Sequence, residues 1–356
     1  MKSIQYMGSK KKLLDHISNI IKELPVYTVF DGFSGSVRVS EHLKKDYIVH
    51  SNDKQYFSEC LAKCYLLNTR SKVYYKKFID ELNSLKGYHG WYSKHYGGVV
   101  TTSEKGDAIQ SDDKKRIWQI HNAIRVDAIR DKIESYDIDD IEKSVLLTSL
   151  IEGLNKVSSV VGHQNGYLKN WSKNSYNNFV MEMPEFCVDG ESHEVYRDDI
   201  FNILPHIKCD LAYYDPPYGT INKNLVVATR YTAFYHLWNT LVLNDKPDLF
   251  GKANRRLDSK KNTDDFERNK IEIILPLFER LFKETNSKYI LLSYSNKSLV
   301  SKDQFEEIFN RLNYKYTFNE IEHKDNTQST SASKDRKWVD YDENIKLKEY
   351  LILIEK

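Results

Sequence analysis

The chain has 356 residues, of which 40% are hydrophobic and 29% charged, and its 53 Lys and Arg against 51 Asp and Glu leave a net charge of +2. That length exceeds a single small domain, and no apolar run approaches the roughly 18 residues of a membrane span. Met1 to Lys12 contains no apolar leader, and the four cysteines form neither a disulfide framework nor a C-x-x-C zinc pair, so a cytoplasmic protein without a metal is expected.

Leu13, Leu14, Ile17, Ile20, Ile21 and Leu24 predict an amphipathic helix over Lys10 to Leu24, stopped by Pro25. Tyr27 to Asp31 reads as a short strand ended by Gly32. Ser36 to Lys44 then predicts a helix, Asp46 to Ser51 a strand and Lys54 to Leu67 a helix, which together make a βαβα unit. The pattern changes from Tyr74 to Tyr136, where Gly87 to Gly98 is aromatic, glycine-rich and without a period, as in an inserted loop. Helices are predicted at Ile117 to Ile133 and Ile141 to Leu154, followed by a polar stretch from Ser158 to Asn178. Strands resume at Glu194 to Arg197 and Cys209 to Tyr214. The helix Asp264 to Glu284, the strand Tyr289 to Tyr294, the helix Lys302 to Leu312 and the strand Glu349 to Ile354 complete the series. Lys324 to Lys337 is polar and poor in apolar residues, and a mobile loop is expected there.

Two strand ends carry the chemistry. Asp215-Pro216-Pro217-Tyr218 follows the apolar strand ending at Tyr214. A proline-fixed turn explains the same residues, but in open parallel sheets ligands bind beyond the carboxyl ends of strands, where this tetrapeptide projects. Asp31 to Ser36 ends the first strand with a glycine turn, which lets backbone approach a ligand. Asp53 ends the second strand where nucleotide-binding α/β folds hold a ribose, although a helix cap before Lys54 fits it equally. Lys10, beside Lys11 and Lys12, reads by itself as a solvated lysine. The 25 tyrosines suit core and strand packing first and base stacking second.

The ordered set resembles the Dam-like, alpha-group adenine-N6 DNA methyltransferases. The resemblance rests on Tyr6 to Lys10, Asp31 to Gly35, Asp53, Leu147 to Lys156, Gly166 to Trp171, Asp215 to Tyr218, Tyr235 to Thr240 and Leu292 to Asn296, nearly the whole chain. It implies a Rossmann-like α/β methyltransferase sheet with an inserted, mainly helical target-recognition domain: a cofactor part over 1–67, the insertion over 68–185 and the D-P-P-Y part over 186–356. S-adenosylmethionine is the implied cofactor, double-stranded DNA the implied partner, and a cognate restriction endonuclease a further one.

By the same resemblance Tyr6, Lys10 and Gly35 line the cofactor pocket, with Lys10 near the cofactor's carboxylate. Asp31 faces its amino-acid part, Asp53 its ribose and Asp198 its adenine, although Asp198 or Asp199 equally suits a helix cap before Phe201. Asp215 borders both substrates. The Asp215 carboxylate and the Pro216 carbonyl would accept hydrogen bonds from the target amino group, and Tyr218 would stack on the flipped base. Polar groups in His163 to Lys173, and Arg230, Arg255 and Arg256, are candidates for DNA contacts. Val37 stands where the family often has glycine. Cytosine-N4 methylation, RNA adenine methylation and a non-catalytic DNA-binding subunit are the alternatives. Asp at the first catalytic position favours adenine in DNA, and an intact Asp215 to Tyr218 argues against loss of catalysis.

Overall fold

The structure, a computed structural model, describes residues 4–99, 107–166, 168–219, 230–260, 263–322 and 348–356. The Lys324 to Lys337 segment and Tyr167 lie outside the described residues.

Seven strands build one sheet: β1 (Thr28–Asp31), β2 (Ile48–Asn52), β3 (Glu194–Tyr196), β4 (Leu211–Tyr214), β5 (Tyr289–Ser295), β6 (Lys315–Glu322) and β7 (Lys348–Glu355). Their order is β3-β2-β1-β4-β5-β7-β6. The first five in that order are parallel, and β7 runs antiparallel to both β5 and β6. The chain reverses strand order at β1 and β4, the switch point where a crevice opens at the carboxyl edge of such sheets.

Side chains of period two sort into two cores. Val29, Val49, Leu211, Tyr213, Leu291 and Leu351 point to one face, and Phe30, Ala212, Tyr214, Ile290, Leu292 and Ile352 to the other. The second face is covered by α8 (Ile200–Ile203), α11 (Ile271–Glu284) and α12 (Lys302–Leu312). The first face receives α1 (Leu14–Lys22), α2 (Arg38–Leu43), α3 (Tyr56–Ala62), α4 (Lys72–Ser84), α5 (Trp91–Tyr96), α6 (Ile120–Glu134), α7 (Asp140–Val157), α9 (Tyr231–Phe234) and α10 (His236–Leu243). The helices between β2 and β3 therefore share one continuous core with the sheet. α7 is buried around nearly its whole circumference and starts at a capping box, in which the Asp139 side chain accepts from the Glu142 amide at 2.8 Å.

Several elements depart from the sequence reading, α9 and α10 among them. The helix α4 and the edge strand β6 have no counterpart in it. The segment expected as an inserted loop contains α5, because Asp127, on the neighbouring α6, accepts from the amides of Gly90, Tyr92 and Ser93 at 3.1, 2.7 and 2.8 Å. A carboxylate there satisfies the donors that every helix start leaves open, and no local pattern reveals it. The expected helix Asp264 to Glu284 is a 3-10 turn (Asp265–Glu267) followed by α11. The small ribbons at 97–98 with 118–119 and at 249–250 with 255–256 also have no counterpart in the sequence pattern.

Candidate active site

Strand register explains why distant residues meet. Asp31 is paired in register with Ser51 and with Tyr213, so Asp53 and Asp215, each two residues further on, leave the sheet at the same edge. The antiparallel β7 brings its beginning there instead of its end, with Glu349 opposite Ser295. Around this edge lies a cavity of about 260 Å³. Tyr6, Lys10, Asp31, Gly35, Asp53, Asp198, Asp215, Pro216 and Tyr218 all line it.

On the β1 side, Ser40 donates to Asp31 Oδ2 at 2.6 Å, while the buried Oδ1 has no hydrogen-bond partner among the described residues. The Gly35 amide donates to Asp53 Oδ2 and the Gln55 amide to Asp53 Oδ1, both at 2.8 Å. Asp53 thus ties the β1 loop to the start of α3, whose N-cap residue is Gln55. Gly35 has φ +49°, and a Cβ there would lie 2.8 Å from the Tyr6 hydroxyl oxygen, so only glycine fits this loop under the Tyr6 ring. Tyr6 is itself stacked on Tyr235, with ring centroids 4.6 Å apart. Val37 adopts φ 63° with its side chain fully buried. A β-branched residue in this left-handed conformation carries about 1–3 kcal/mol of strain, which its core contacts hold in place.

Asp198 and Asp199 both accept hydrogen bonds at the start of α8, Asp198 Oδ1 from the Asp199 amide at 2.6 Å and from Asn202 Nδ2 at 3.0 Å. The Asp199 side chain caps α8 by accepting from the Phe201 amide at 3.1 Å, and Asp198 lies at the cavity wall, exposed. Asn52, which no sequence motif marks, joins the loops: its amide donates to the Gly32 and Asp198 carbonyls at 3.3 and 3.2 Å, and its oxygen accepts from the Asp198 amide at 3.1 Å.

The D-P-P-Y turn is anchored by charge. Lys10 is only 7% exposed, which overturns the solvated-lysine reading. Its ammonium lies 3.2 Å from Asp215 Oδ1 and 2.8 Å from Glu349 Oε1, and it donates to the Tyr218 hydroxyl at 2.6 Å. A buried ammonium is tolerated only when paired, and here two carboxylates share it. Tyr218 is half-buried, with Lys10 Nζ 4.5 Å from its ring centroid and the Tyr294 ring tilted against it at 4.8 Å. The Tyr294 hydroxyl donates to the Tyr218 carbonyl at 2.8 Å and fixes the end of the turn.

The cavity is strongly acidic. Burial pushes Asp31 up to about 7, with Asp215 and Asp53 adding to it against the opposing Ser40 bond. Burial likewise raises Asp53 and Asp215 to about 6, the latter despite Lys10. Two further wall residues, Asp264 and Glu267, are raised to about 6 and about 8 by the same cause. Lys10 is lowered by burial, but Asp215 and Glu349 more than offset this and raise it. Asp264, Glu267 and Glu349 carry no signal in the sequence, since none stands at the end of a parallel strand.

Part of the polar middle segment is spent on packing, while Lys169 stays exposed. Gln164 is buried; its amide donates to the Phe234 carbonyl at 2.8 Å and its side-chain oxygen accepts from the Leu237 amide at 2.8 Å, so it joins the loop to α9 and α10 and is unavailable to a base edge. His163 stacks on Phe234 with centroids 4.1 Å apart. Arg256 is buried in a fork with Asp245 and Asp258 at 2.6 and 2.7 Å, which removes it from the candidate DNA contacts. Arg230 is exposed, and Arg255 lies over the Phe250 ring at 4.5 Å.

A parallel-centred sheet with one reversed strand, glycine loops under paired acids, and a proline-rigid turn at the switch point define a Rossmann-like methyltransferase. The sequence pattern of the D12 class N6 adenine-specific DNA methyltransferases matches residues 6–308, and the chain belongs to that family. It is 29% identical over 321 residues to the modification methylase LlaI of Lactococcus lactis subsp. lactis, covering 86% of this chain and 49% of LlaI. It is 28% identical over 321 residues to the type II methyltransferase M.NlaIII of Neisseria lactamica, covering 86% and 88%. Against the type II methyltransferase M.FokI of Planomicrobium okeanokoites the values are 26% over 321 residues, 86% and 46%. The chain thus spans about half the length of LlaI and M.FokI and most of M.NlaIII. Among the described residues no helix is long and apolar enough to cross a membrane.

Proposed function

We propose that this chain transfers a methyl group from S-adenosylmethionine to the N6 amino group of a flipped-out adenine at a specific site in duplex DNA. The observation that carries the reading is the Asp215 to Tyr218 turn opening onto an acidic cavity in which one buried Asp31 oxygen has no hydrogen-bond partner among the described residues. A ligand carrying positive charge and hydrogen-bond donors suits that cavity, and the Gly35 loop leaves backbone room for it. S-adenosylmethionine supplies an electrophilic methyl on a sulfonium centre when bound. Tyr6 and Gly35 would line its pocket, Asp31 would hold its amino-acid part, Asp53 its ribose and Asp198 its adenine, while Lys10, expected near its carboxylate, gives its ammonium to Asp215, Tyr218 and Glu349.

The adenine amino nitrogen is a poor nucleophile while its lone pair is delocalised into the ring. Asp215 and the Pro216 carbonyl, as two acceptors, draw the amino hydrogens and favour the tetrahedral nitrogen and its growing positive charge. Two prolines fix φ on both sides of the acceptor, so little reorganisation remains during transfer. The half-buried Tyr218 ring offers a stacking face that offsets part of the few kcal/mol spent on extruding the base. The helices of residues 68–185 would supply target recognition, with Arg230 and Arg255 as phosphate or base contacts. The relatives' names, as a modification methylase and a type II methyltransferase, support a restriction-modification setting, from which a cognate endonuclease as partner and residence in the cytoplasm would follow.

Nucleoside analysis of duplex DNA treated with the protein and S-adenosylmethionine tests this reading. N6-methyladenine is the expected product. N4-methylcytosine alone, or methylation confined to RNA, would replace it by the corresponding alternative.

A further inference from the structure

We propose that Glu349 is a positioning residue of the catalytic turn, holding Lys10 and Tyr218 so that Asp215 stays free to accept from the target amino group. The inference rests on the reading of Asp215 given above. Glu349 lies outside the matched span of residues 6–308, belongs to no motif, and reaches the site only because β7 runs backwards.

Glu349 is 7% exposed, and its Oε1 receives three donors: Lys10 at 2.8 Å, Tyr218 at 2.5 Å and Ser293 at 3.1 Å. The Tyr218 hydroxyl accepts from Lys10 and donates to Glu349, which fixes both its proton and the rotation of its ring. Lys10 stands closer to Glu349 than to Asp215, at 2.8 against 3.2 Å. With an uncharged side chain in place of Glu349, the buried ammonium would have a single anionic partner, and it would close on Asp215 and occupy the oxygen needed by the substrate. Networks of this kind act as a unit, so the effect is expected to run through Lys10.

The titratable groups facing Asp215 are Lys10, Glu349, Tyr218, Asp31, Tyr213, Tyr6 and Tyr231. Burial is the main cause of the raised Asp215, Lys10 opposes it, and Glu349 adds to it. Removing the Glu349 charge, and closing Lys10 on Asp215, both move Asp215 downward.

The full-length Glu349→Gln protein tests this. The expected result is a kcat about 10- to 100-fold lower with S-adenosylmethionine affinity changed by no more than about twofold. The acid limb of kcat/KM for DNA, at saturating cofactor, should move to lower pH. In the Lys10→Met background, Glu349→Gln should change kcat by less than about twofold. Carboxyl ¹³C NMR of the cofactor-free protein, with Asp215→Asn for assignment, should show Asp215 titrating lower in Glu349→Gln than in wild type. Wild-type kcat with an unshifted acid limb, or a full extra loss on top of Lys10→Met, would overturn the proposal. If Glu349→Gln alone unfolds, the double variant compared with Lys10→Met decides between the same two outcomes. Absence of any adenine methylation by the wild type would instead overturn the proposed function, and the Asp215 titration alone would then judge the role of Glu349.

Discussion

The cofactor-side cavity and the loop bundle around residues 158–172 both bury ionisable groups, yet they treat charge in opposite ways. In the cavity, burial raises Asp31, Asp53, Asp215, Asp264 and Glu267, and backbone amides and Lys10 meet several of their oxygens. In the loop bundle burial lowers Lys115 to about 7, His163 to about 4 and His236 to about 3. Lys115 donates to the Gly166 carbonyl, and neither His236 ring nitrogen has a hydrogen-bond partner among the described residues. Buried acids crowded round a 260 Å³ cavity fit a ligand site, whereas the buried Lys115, His163 and His236 line no part of that cavity and serve packing. Desolvation alone therefore does not mark function; desolvation beside a cavity does.

The largest effect that would break this contrast comes from Asp53→Ala. Losing the carboxylate that meets Gly35 and the proposed ribose should weaken S-adenosylmethionine binding about 10- to 100-fold by calorimetry, and an unchanged affinity would remove Asp53 from the cofactor site. A smaller effect follows from pH. Deprotonated Asp31 and Asp53 attract a cationic ligand, so its affinity should fall about 3- to 10-fold as pH drops from 8 to 6. The ligand-free protein should behave in the opposite sense. Carboxylates with raised folded values contribute stability at low pH that is lost as pH rises through about 6 to 8. Thermal unfolding with and without S-adenosylmethionine across that range checks both signs.

The smallest effect sharpens the other half. His236 stays neutral when folded but takes up a proton when unfolded, so its contribution is lost as pH falls below its ordinary value near 6.5. His236→Leu removes two unbonded buried nitrogens, and should raise the melting temperature by about 2 °C at neutral pH and by more at pH 5, with methyl transfer unchanged. Lost DNA methylation in that variant would mean that the bundle does more than pack.

Much of the site is legible in the sequence because parallel strands point their ends the same way. Asp31, Asp53 and Asp215 follow apolar strands, and the register of β1 with β2 and β4 carries them to one edge. What stays hidden depends on contacts between distant segments. Glu349 sits at the start of an antiparallel strand, where the same rule would place it at the far edge. Lys10 looks solvated in sequence because its partners Asp215, Tyr218 and Glu349 lie more than 200 residues away. Gln164 and Arg256 look free because their roles in holding α9, α10 and the 245–258 segment leave no periodic trace. α5 requires Asp127, a cap supplied from another helix.

Asp215 bears most of the proposed chemistry, and its removal is the most direct test. Wild-type and Asp215→Ala proteins, each loaded with methyl-labelled S-adenosylmethionine, can be mixed in a single turnover with one adenine-containing duplex. Label is predicted on adenine N6 with the wild type, with a rate at least about 10²-fold lower in Asp215→Ala, which still holds the cofactor. Equal transfer by both proteins would contradict the role assigned to Asp215.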